Sequence, residues 1–522
     1  MRPVLGVVSC LPWLIMACAV VLSATADLSS GGAPADRLVQ NGWIVWRGQA
    51  VWGWVQHNGW WRDGQRPNIT RRSVSDSLGD VRPNRTEDLD RLTDNMLLYG
   101  YPGFEHNFGL WYDRRRDRHD VEARTTPECR PPFLEQPWAR GRSGQAADGL
   151  PKYDLTRFND WYFARLKRFA DLCDAKGTVL LFKPYMQHAL LEQQTHYVDF
   201  PWRPGNCIQD VRMPDVIPAA NSFYDVSHAE RARLHRLYIA KCLDVLGGNR
   251  NVVFLIGQEF TGPIEFARFY VDAVLDWQRR TGKHVCIGVG ATKDVTDAIL
   301  ADPVRGPAVD VIDMRCWWVR RDGTVNAMKG GAETPGRDTE CGTGQTAETS
   351  TQRFYEKVRH VRDRHPRKAL IDALVATRQD SWAFLMAGGS LLVRGQIEYP
   401  GHVDPPAYVK PAEVDFVLPT YRMLRERLGP ILPRMVPCDI AASTSGPAWC
   451  LASPGSDYLV YAMHGGTLTL DLSKAASSRP LTGRWFDPRT GTLSSAFSVP
   501  ASANVDLHTP DDQDWALVVS KQ

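Results

Sequence analysis

One glutamate stands where acid and base chemistry could be carried out. Glu259 follows the apolar run NVVFLI at residues 251–256 and comes directly after Gly257 and Gln258. A run of β-branched and apolar residues predicts a buried parallel strand, so Glu259 falls at the carboxyl end of that strand. In an eight-stranded β/α barrel, active sites form at this end. A carboxyl group held there beside an amide is suited to protonate a glycosidic oxygen.

The chain from about residue 40 to 430 alternates short apolar strands with amphipathic helices, which predicts a parallel α/β fold. The predicted strands are 43–46, 96–100, 178–183, 251–256, 284–289, 309–314, 368–374 and 390–394, and the clearest helices are 154–176, 229–246, 264–281, 351–364 and 379–386. Eight β/α units favour a (β/α)8 TIM barrel. A doubly wound open sheet is the alternative, but no Gly-rich nucleotide-binding motif follows any predicted strand.

Long segments without a regular pattern fall where loops at the rim of a barrel would lie. They cover residues 53–90, 101–152, 186–225 and 317–350 and are rich in Trp, Tyr, His and Arg. Loops of this length are usually functional or disordered. As a set they predict the walls of a polar and aromatic cleft, although any single aromatic residue could serve packing instead.

The character of the sequence changes near residue 433. Residues 433–522 read as short strands with turn signals, which predicts a small C-terminal antiparallel β-sandwich. Gly465 and Gly466 predict a tight hairpin turn. Packing against the barrel is the favoured role of this domain, and glycan binding through Trp485 is the alternative. The predicted domains are therefore a barrel at 39–432 and a β-sandwich at 433–522, preceded by a linker at 27–38.

Residues 1–26 have the features of a secretion signal. Arg2 is followed by an apolar run over residues 4–22 and then by the small residues Ala24, Thr25 and Ala26. Cleavage there predicts a secreted or periplasmic protein without stable membrane insertion. An uncleaved membrane anchor is the alternative, because the apolar run approaches spanning length, and a lipidated Cys18 is a third reading.

Charge and motifs exclude other classes of protein. The formal charge is +3, with 62 basic and 59 acidic residues intermixed, so there is no basic stripe for nucleic acid. No zinc motif occurs, and neither a metal nor an organic cofactor is expected. Nine of the eleven cysteines lie outside the signal, and Cys438 with Cys450 is the favoured disulfide. Three others fall in helix or strand patterns and are expected to be buried: Cys173, Cys242 and Cys286.

Several segments together resemble a known family. NGWIVWRGQAVWGW, GTVLLFKPY and NVVFLIGQE resemble the clan A glycoside hydrolases, which have a β/α barrel. More narrowly, the chain is similar to the apiosidase-like group of bacterial secreted hydrolases. Their C-terminal module, known as a collagen-binding domain, carries a WFDPRTG-type turn, and residues 485–491 of this chain read WFDPRTG.

The resemblance implies a pair of carboxylates, one after strand four and one after strand seven. Glu259 matches the first position and would act as general acid and then base, with Gln258 where the family commonly has Asn. The glutamate expected after strand seven is not reproduced. Asp372, within that strand, is the favoured second carboxylate, Glu398 is the alternative, and Asp313 is a third candidate.

Further substrate-binding residues are predicted from their positions after strands. Flat aromatic side chains cover the apolar face of a sugar ring, and polar side chains bond its hydroxyls. The candidates are Glu105, His106, Tyr185, His188, Gln258, Trp317, Trp318, Arg394 and Gln396.

Two hypotheses for the function stay open. The first is a secreted glycoside hydrolase that cleaves a plant or microbial polysaccharide with two carboxylates. The second is a catalytically silent glycan-binding protein on a TIM-barrel scaffold, since a barrel does not by itself establish activity. In either case the partner is an oligosaccharide or polysaccharide.

Overall fold

The structure of the protein is a computed structural model. It describes residues 37–57, 89–98, 100–106, 136–147, 149–185, 187–191, 194–198, 200–257, 260–315, 317–319, 325–326, 329–333, 350–373, 377–394, 417–453, 455–475 and 481–521. At a few positions within helices and strands, the backbone alone is described. The predicted secretion signal and most of the predicted linker lie outside the described residues, and the predicted domain boundaries remain predictions.

Eight parallel strands close into a barrel, which confirms the predicted fold class. In chain order they are β1 (Gly53–His57), β2 (Gly103–His106), β3 (Val179–Phe182), β4 (Val252–Leu255), β5 (Cys286–Val289), β6 (Val311–Asp313), β7 (Ala369–Ala373) and β8 (Leu391–Arg394). Each strand pairs with its neighbours in chain order, and β8 pairs with β1 to complete the circle. Strands four positions apart, such as β2 and β6 or β4 and β8, therefore face each other across the barrel.

A helix follows each barrel strand. The helices are α1 (Leu89–Leu98), α2 (Asp160–Ala175), α3 (Ala229–Leu246), α4 (Ile264–Thr281), α5 (Lys293–Ala301), α6 (Thr351–Arg364), α7 (Arg378–Met386) and α8 (Val417–Met423). Their starts follow from local sequence: Thr377 and Asp380 form a capping box at the start of α7, and Ser350 caps α6. The observed bounds of α3, α4 and α6 coincide with the predicted ones.

The first two predicted barrel strands are wrong. Residues 43–46 do form a strand, Trp43–Trp46, but it pairs antiparallel with Val39–Gln40 and Gln49–Ala50 outside the barrel. Residues 96–98 form the last turn of α1. The true β1 and β2 read GWVQH and GFEH, and their polar residues interrupt the apolar run on which the prediction depends.

The small N-terminal sheet closes the amino end of the barrel. Ile44 and Val51 belong to the same apolar cluster as the inward-facing side chains of the barrel strands, for example Val253 and Leu255. The Ile44 amide donates to the hydroxyl of Ser390, the residue just before β8, at 3.2 Å. The amino end of the barrel is therefore filled, and a substrate could enter from the carboxyl end of the strands.

The segments predicted as irregular contain some regular structure. Between β2 and α2 lies an antiparallel hairpin of Trp138–Gln145 and Pro151–Phe158, and a smaller one after β6 joins Trp318–Val319 to Val325–Asn326. Short helices in these segments occur at His188–Leu191, Gln194–Tyr197 and Ala220–Tyr224. Outside them lie a short helix at Arg305–Ala308, a π-helix at Leu424–Leu428 and a 3-10 helix at Leu432–Arg434. None of the helices in the described ranges has the length and apolar character to cross a membrane.

The C-terminal segment is the predicted antiparallel β-sandwich. One sheet contains Val436–Cys438, Ala448–Ser453, Asp457–Ala462, Leu481–Asp487, Thr492–Leu493, Phe497–Val499 and Trp515–Ser520, and the other contains Ala441–Ser443, Thr467–Leu470 and Val505–His508. Apolar side chains from both sheets form one core. The turn at Gly465 and Gly466 is not a hairpin, because the strands on either side of it belong to different sheets.

The outer face of the larger sheet packs on the barrel. Trp449 stacks on Tyr355 of α6 with ring centroids 4.7 Å apart, and Tyr461 stacks on Trp382 of α7 at 4.9 Å. Beside this aromatic contact, buried Asp514 accepts hydrogen bonds from Arg378 at 2.9 and 2.5 Å. The expected packing role is therefore observed.

Two predictions for the β-sandwich need correction. Trp485, considered for glycan binding, is buried in the sandwich core beside Phe497, so its ring is not presented to a ligand. Cys438 and Cys450 lie directly opposite each other on paired strands, but the structure holds both as free thiols. The other three cysteines expected to be buried, Cys173, Cys242 and Cys286, are buried.

Candidate active site

The carboxyl end of the barrel interior carries a cluster of buried charges. Side chains alternate along each strand, so Glu105 shares the inner face of β2 with Gly103, and Asp313 shares the inner face of β6 with Val311. Asp313 lies against β5, where a Cβ on Gly290 would be 3.2 Å from its carboxylate. Both acidic residues thus face inward, one layer above the apolar filling of the barrel.

Arg315 links these two carboxylates across the barrel. Its Nη1 donates to both oxygens of Glu105 at 2.7 Å, and its Nε donates to Oδ1 of Asp313 at 2.9 Å. Lys183, which continues the inner face of β3 beyond Leu181, forms an ion pair with Glu105. All four side chains are at most 4% exposed. Because β2 and β6 face each other, this cluster spans the interior and forms the floor of the candidate cleft.

The floor cluster is electrically balanced, with two carboxylates and two cations. Buried charges are tolerated when they are paired and hydrogen-bonded, and these bonds fix the direction of each side chain. The cluster can therefore form a rigid, polar surface beneath a bound sugar. Sequence reasoning missed Lys183 and Arg315. The sequence does contain an indication of them. Arg315 lies two residues after Asp313 and Lys183 two residues after Leu181, and residues two apart on a strand project from the same face.

The strand that leads to Glu259 is β4, at its predicted place. A Cβ at Gly257 would be 3.1 Å from the Tyr185 carbonyl oxygen, so a larger residue would require a backbone shift of a few tenths of an ångström. The Phe260 amide donates to the Gly290 carbonyl at 3.2 Å. Gln258 and Glu259 themselves lie outside the described residues, so their roles remain predictions.

Asp372 is not placed to be the second carboxylate. Its neighbour Ile371 belongs to the interior cluster, whereas Asp372 lies on the outer face of β7 and pairs with Lys357 of α6 at 2.6 Å. The carboxylate is buried between the barrel wall and a helix, directed away from the cleft. The sequence argument located the right end of the strand but chose the wrong face.

Two other candidates also face outward. His106 packs against Phe169 of α2, and burial, with the nearby Arg165 guanidinium, holds its pKa well below the usual value. Tyr185 is fully buried, and its hydroxyl donates to Nδ1 of His235 at 3.0 Å. Both residues stabilise the contact between barrel and helices, so they are not ligands for a substrate in the cleft.

The remaining predicted residues divide into two groups. Trp317 is described: its indole N–H donates to the Ala291 carbonyl at 3.0 Å, and it lines a cavity between α5 and α6, on the outer side of the barrel. The other side chains lie outside the described residues, and their assignments remain predictions: His188, Trp318, Arg394, Gln396 and Glu398. Within the described ranges, no group of three or more His, Cys, Asp or Glu residues could hold a metal ion.

Two protein families match parts of the chain. Residues 23–401 match the family described as "Domain of unknown function (DUF6298)". The chain belongs to this family. Residues 440–520 match the "Putative collagen-binding domain of a collagenase", which agrees with the expected C-terminal module. No curated protein is significantly similar to this member of the family in sequence.

The fold of this family member is shared by solved structures. A glycoside hydrolase family 5 structure from Bacteroides vulgatus ATCC 8482 is 13% identical, covers 92% of this chain and 94% of its own, and has a TM-score of 0.52. A second, described as a glycoside hydrolase, is also 13% identical, with coverage of 92% and 97% and a TM-score of 0.50. At this identity the likeness shows the fold alone. The resemblance to clan A glycoside hydrolases is thus confirmed for the fold, and the apiosidase-like grouping remains a prediction.

Proposed function

We propose that the protein is a glycoside hydrolase that cleaves a glycosidic bond in a plant or microbial polysaccharide, with Glu259 as general acid and then base. The main support is the closed barrel in which β4 leads into Glu259 at the carboxyl end of the strands, where barrel enzymes bind substrate. A carboxylic acid there can protonate the leaving oxygen as the bond breaks. The fold shared with glycoside hydrolases supports the same reaction class.

With Asp372 on the outer face, we propose Glu398 as the second carboxylate. Glu398 follows the last residue of β8 by four positions, as Glu259 follows the last residue of β4 by four. Because β4 and β8 face each other across the barrel, carboxylates after them could approach a sugar from opposite sides. Asp313 is the alternative, although Arg315 already contacts both of its oxygens, Oδ1 at 2.9 Å and Oδ2 at 2.5 Å. A separation of about 5 Å would give retention and about 6.5–9.5 Å inversion of configuration.

A second function is favoured by one observation. The described carboxylates at the carboxyl ends of β2, β6 and β7, namely Glu105, Asp313 and Asp372, are all engaged in ion pairs. If Glu398 does not take part either, the barrel would hold a glycan without cleaving it.

We also propose, from the features of residues 1–26, that the protein is exported to the periplasm or beyond.

The test is release of reducing sugar from a panel of plant and microbial polysaccharides by the chain from residue 27 onward. We expect Glu259→Gln to abolish release and Glu398→Gln to reduce it by at least about a thousandfold, because each removes a group that acts on the breaking bond. Asp372→Asn is the matched control and should retain activity per folded molecule.

The outcomes separate the alternatives. Equal activity of Glu259→Gln and the unchanged protein would reject Glu259 as the acid. Loss in Asp313→Asn with full activity in Glu398→Gln would assign the second role to Asp313. Glycan binding by calorimetry, without any release of sugar from the panel, would support the silent binding protein.

A further inference from the structure

A second cavity lies outside the barrel, away from the candidate cleft. It occupies about 330 Å³ between α5 and α6, and its lining includes Trp317 and His365. Ligand pockets in proteins generally measure about 300–1,000 Å³, so this cavity is at the lower end of that range. It is large enough for a single small ligand such as one sugar unit.

The lining of this cavity is rich in cations. Four described lining residues are lysines or arginines and two carry carboxylates. Asp372 in the barrel wall pairs with one of the cations, so four cations meet three carboxylates and one positive charge remains. The cations are Lys293, Arg353, Lys357 and Arg364.

The remaining charge can be assigned to particular residues. Lys293 pairs with Asp297 on its own helix, and Lys357 pairs with Asp372. Arg353 meets Glu356 at 3.4 Å, with both side chains about half exposed, so this pair is weak. Arg364 forms no ion pair with any residue in the described part of the chain. The two arginines therefore have N–H donors to offer to an incoming anion.

The cavity also has an apolar part. Trp317 and Val361 line it and are largely buried, and the Lys293 ammonium lies 5.4 Å from the centre of the Trp317 ring. A ligand that fits this lining has a compact apolar surface and a carboxylate. A uronic acid unit has both features, since its ring presents C–H groups on one face and its C5 substituent is a carboxylate.

We propose that this cavity is an accessory site for a uronic acid unit of an acidic polysaccharide, with Arg364 binding the carboxylate and Arg353 adding positive charge to the lining. The choice of a sugar rather than another organic acid rests on the proposed glycoside hydrolase function. Arginine suits this role because its planar guanidinium can meet both oxygens of a carboxylate. Such a site would hold an acidic chain against the enzyme at a distance from the point of cleavage.

The proposal is tested by calorimetric titration of the chain from residue 27 onward with D-glucuronate and D-glucose at low ionic strength. We expect glucuronate to bind and glucose not to bind, and glucuronate binding to weaken as salt is added. The double substitution Arg353→Gln and Arg364→Gln should weaken glucuronate binding by about tenfold or more, because hydrogen bonds to a charged group are lost. Equal binding of glucuronate and glucose would overturn the proposal.

The matched control replaces two exposed arginines of α4 that lie outside the cavity, Arg279→Gln with Arg280→Gln. This control should bind glucuronate like the unchanged protein, and an equal loss in both double variants would mean that binding reflects overall charge. Glu259→Gln separates the two proposals. It should lose hydrolysis but keep glucuronate binding, so failure of the accessory site and failure of the proposed reaction give different results.

Discussion

The two faces of the barrel wall at its carboxyl end carry the same kinds of residue in different roles. On the inner face, Glu105 and Asp313 meet across the barrel through Arg315. On the outer face, Asp372 pairs with Lys357 of α6. All three carboxylates are at most 2% exposed and ion-paired. Burial and pairing therefore do not distinguish a carboxylate near a cleft from one in a structural contact.

What distinguishes these carboxylates is the face of the strand from which each side chain projects. Because successive side chains alternate, a shift of one residue transfers a carboxylate from the cleft to the helix layer. The inner cluster should affect both stability and the reaction, since it forms the floor under the substrate. The outer pairs should affect stability alone.

The largest effect is expected from Arg315→Met, which removes the link across the barrel. Glu105 would keep its ion pair with Lys183, whereas buried Asp313 would lose the guanidinium that pairs with it. We expect a loss of about 3–5 kcal/mol in the free energy of unfolding, measured by urea denaturation. If the folded fraction is active, its activity should fall by about a hundredfold, because the floor of the site loses its fixed geometry.

The control for this variant is Arg168→Met, which breaks the exposed ion pair with Asp90. Exposed pairs contribute about 1 kcal/mol or less, so stability and activity should change little. If Arg315→Met left kcat/KM unchanged, the inner cluster would be structural in the same sense as the outer pair.

A smaller effect is expected from Asp372→Asn on the outer face. Lys357 would lose its carboxylate partner, although its ammonium would keep the hydrogen bond to the Trp317 carbonyl at 3.2 Å. We expect a loss of about 3 kcal/mol in the free energy of unfolding. Activity per folded molecule should stay within about twofold, because a substitution that removes no contact with the transition state leaves kcat/KM unchanged. A large fall in kcat, with the native fold retained, would contradict the outward placement of Asp372.

The pH dependence of stability should come in part from the outer face. Burial lowers the pKa of His235 to about 3, and the Phe223 carbonyl accepts from its Nε2 at 2.8 Å. An unfolded histidine has a pKa near 6.5, so the unfolded state takes up the proton first as the pH falls. Stability linked to His235 is therefore present above about pH 6.5 and is lost progressively down to about pH 3.

At pH 5 the loss due to His235 should be about 2 kcal/mol relative to pH 7.5. Urea denaturation of His235→Gln at the two pH values should show a pH dependence smaller by that amount. The exposed His508→Gln serves as the control and should keep the dependence of the unchanged protein. An unaltered pH dependence in His235→Gln would show that the buried imidazole is not the source.

The sequence predicted β3 to β8 closely because each consists mainly of apolar residues, as expected for strands buried on both faces. It missed β2 because Phe104 is the single large apolar residue of GFEH, and the charge of Glu105 is tolerated through ion pairs with Lys183 and with Arg315, which is 210 residues away in the chain. The same long-range pairing explains why the floor cluster was not foreseen. Asp372 was assigned to the cleft because the sequence located the end of β7 but did not show on which face of the strand Asp372 lies. The WFDPRTG turn was identified through its resemblance to the family motif, and its bonds, such as that from the Arg489 amide to Asp487, are local.

The smallest effect is expected from Tyr185→Phe, which tests whether this candidate belongs to the cleft or to the helix layer. Its hydroxyl donates to His235, so the change leaves Nδ1 of a buried imidazole without that donor. We expect a loss of about 1 kcal/mol in the free energy of unfolding and no change in kcat or KM.

Tyr224→Phe in the same aromatic cluster is the matched control for Tyr185→Phe. The two rings lie 6.3 Å apart, and the buried Tyr224 hydroxyl has no hydrogen-bond partner in the described part of the chain. Its removal should leave stability unchanged or slightly raised, because an unsatisfied buried hydroxyl is costly. A rise in KM for Tyr185→Phe alone would return Tyr185 to the substrate site, whereas a loss of stability alone assigns it to the contact between barrel and helices.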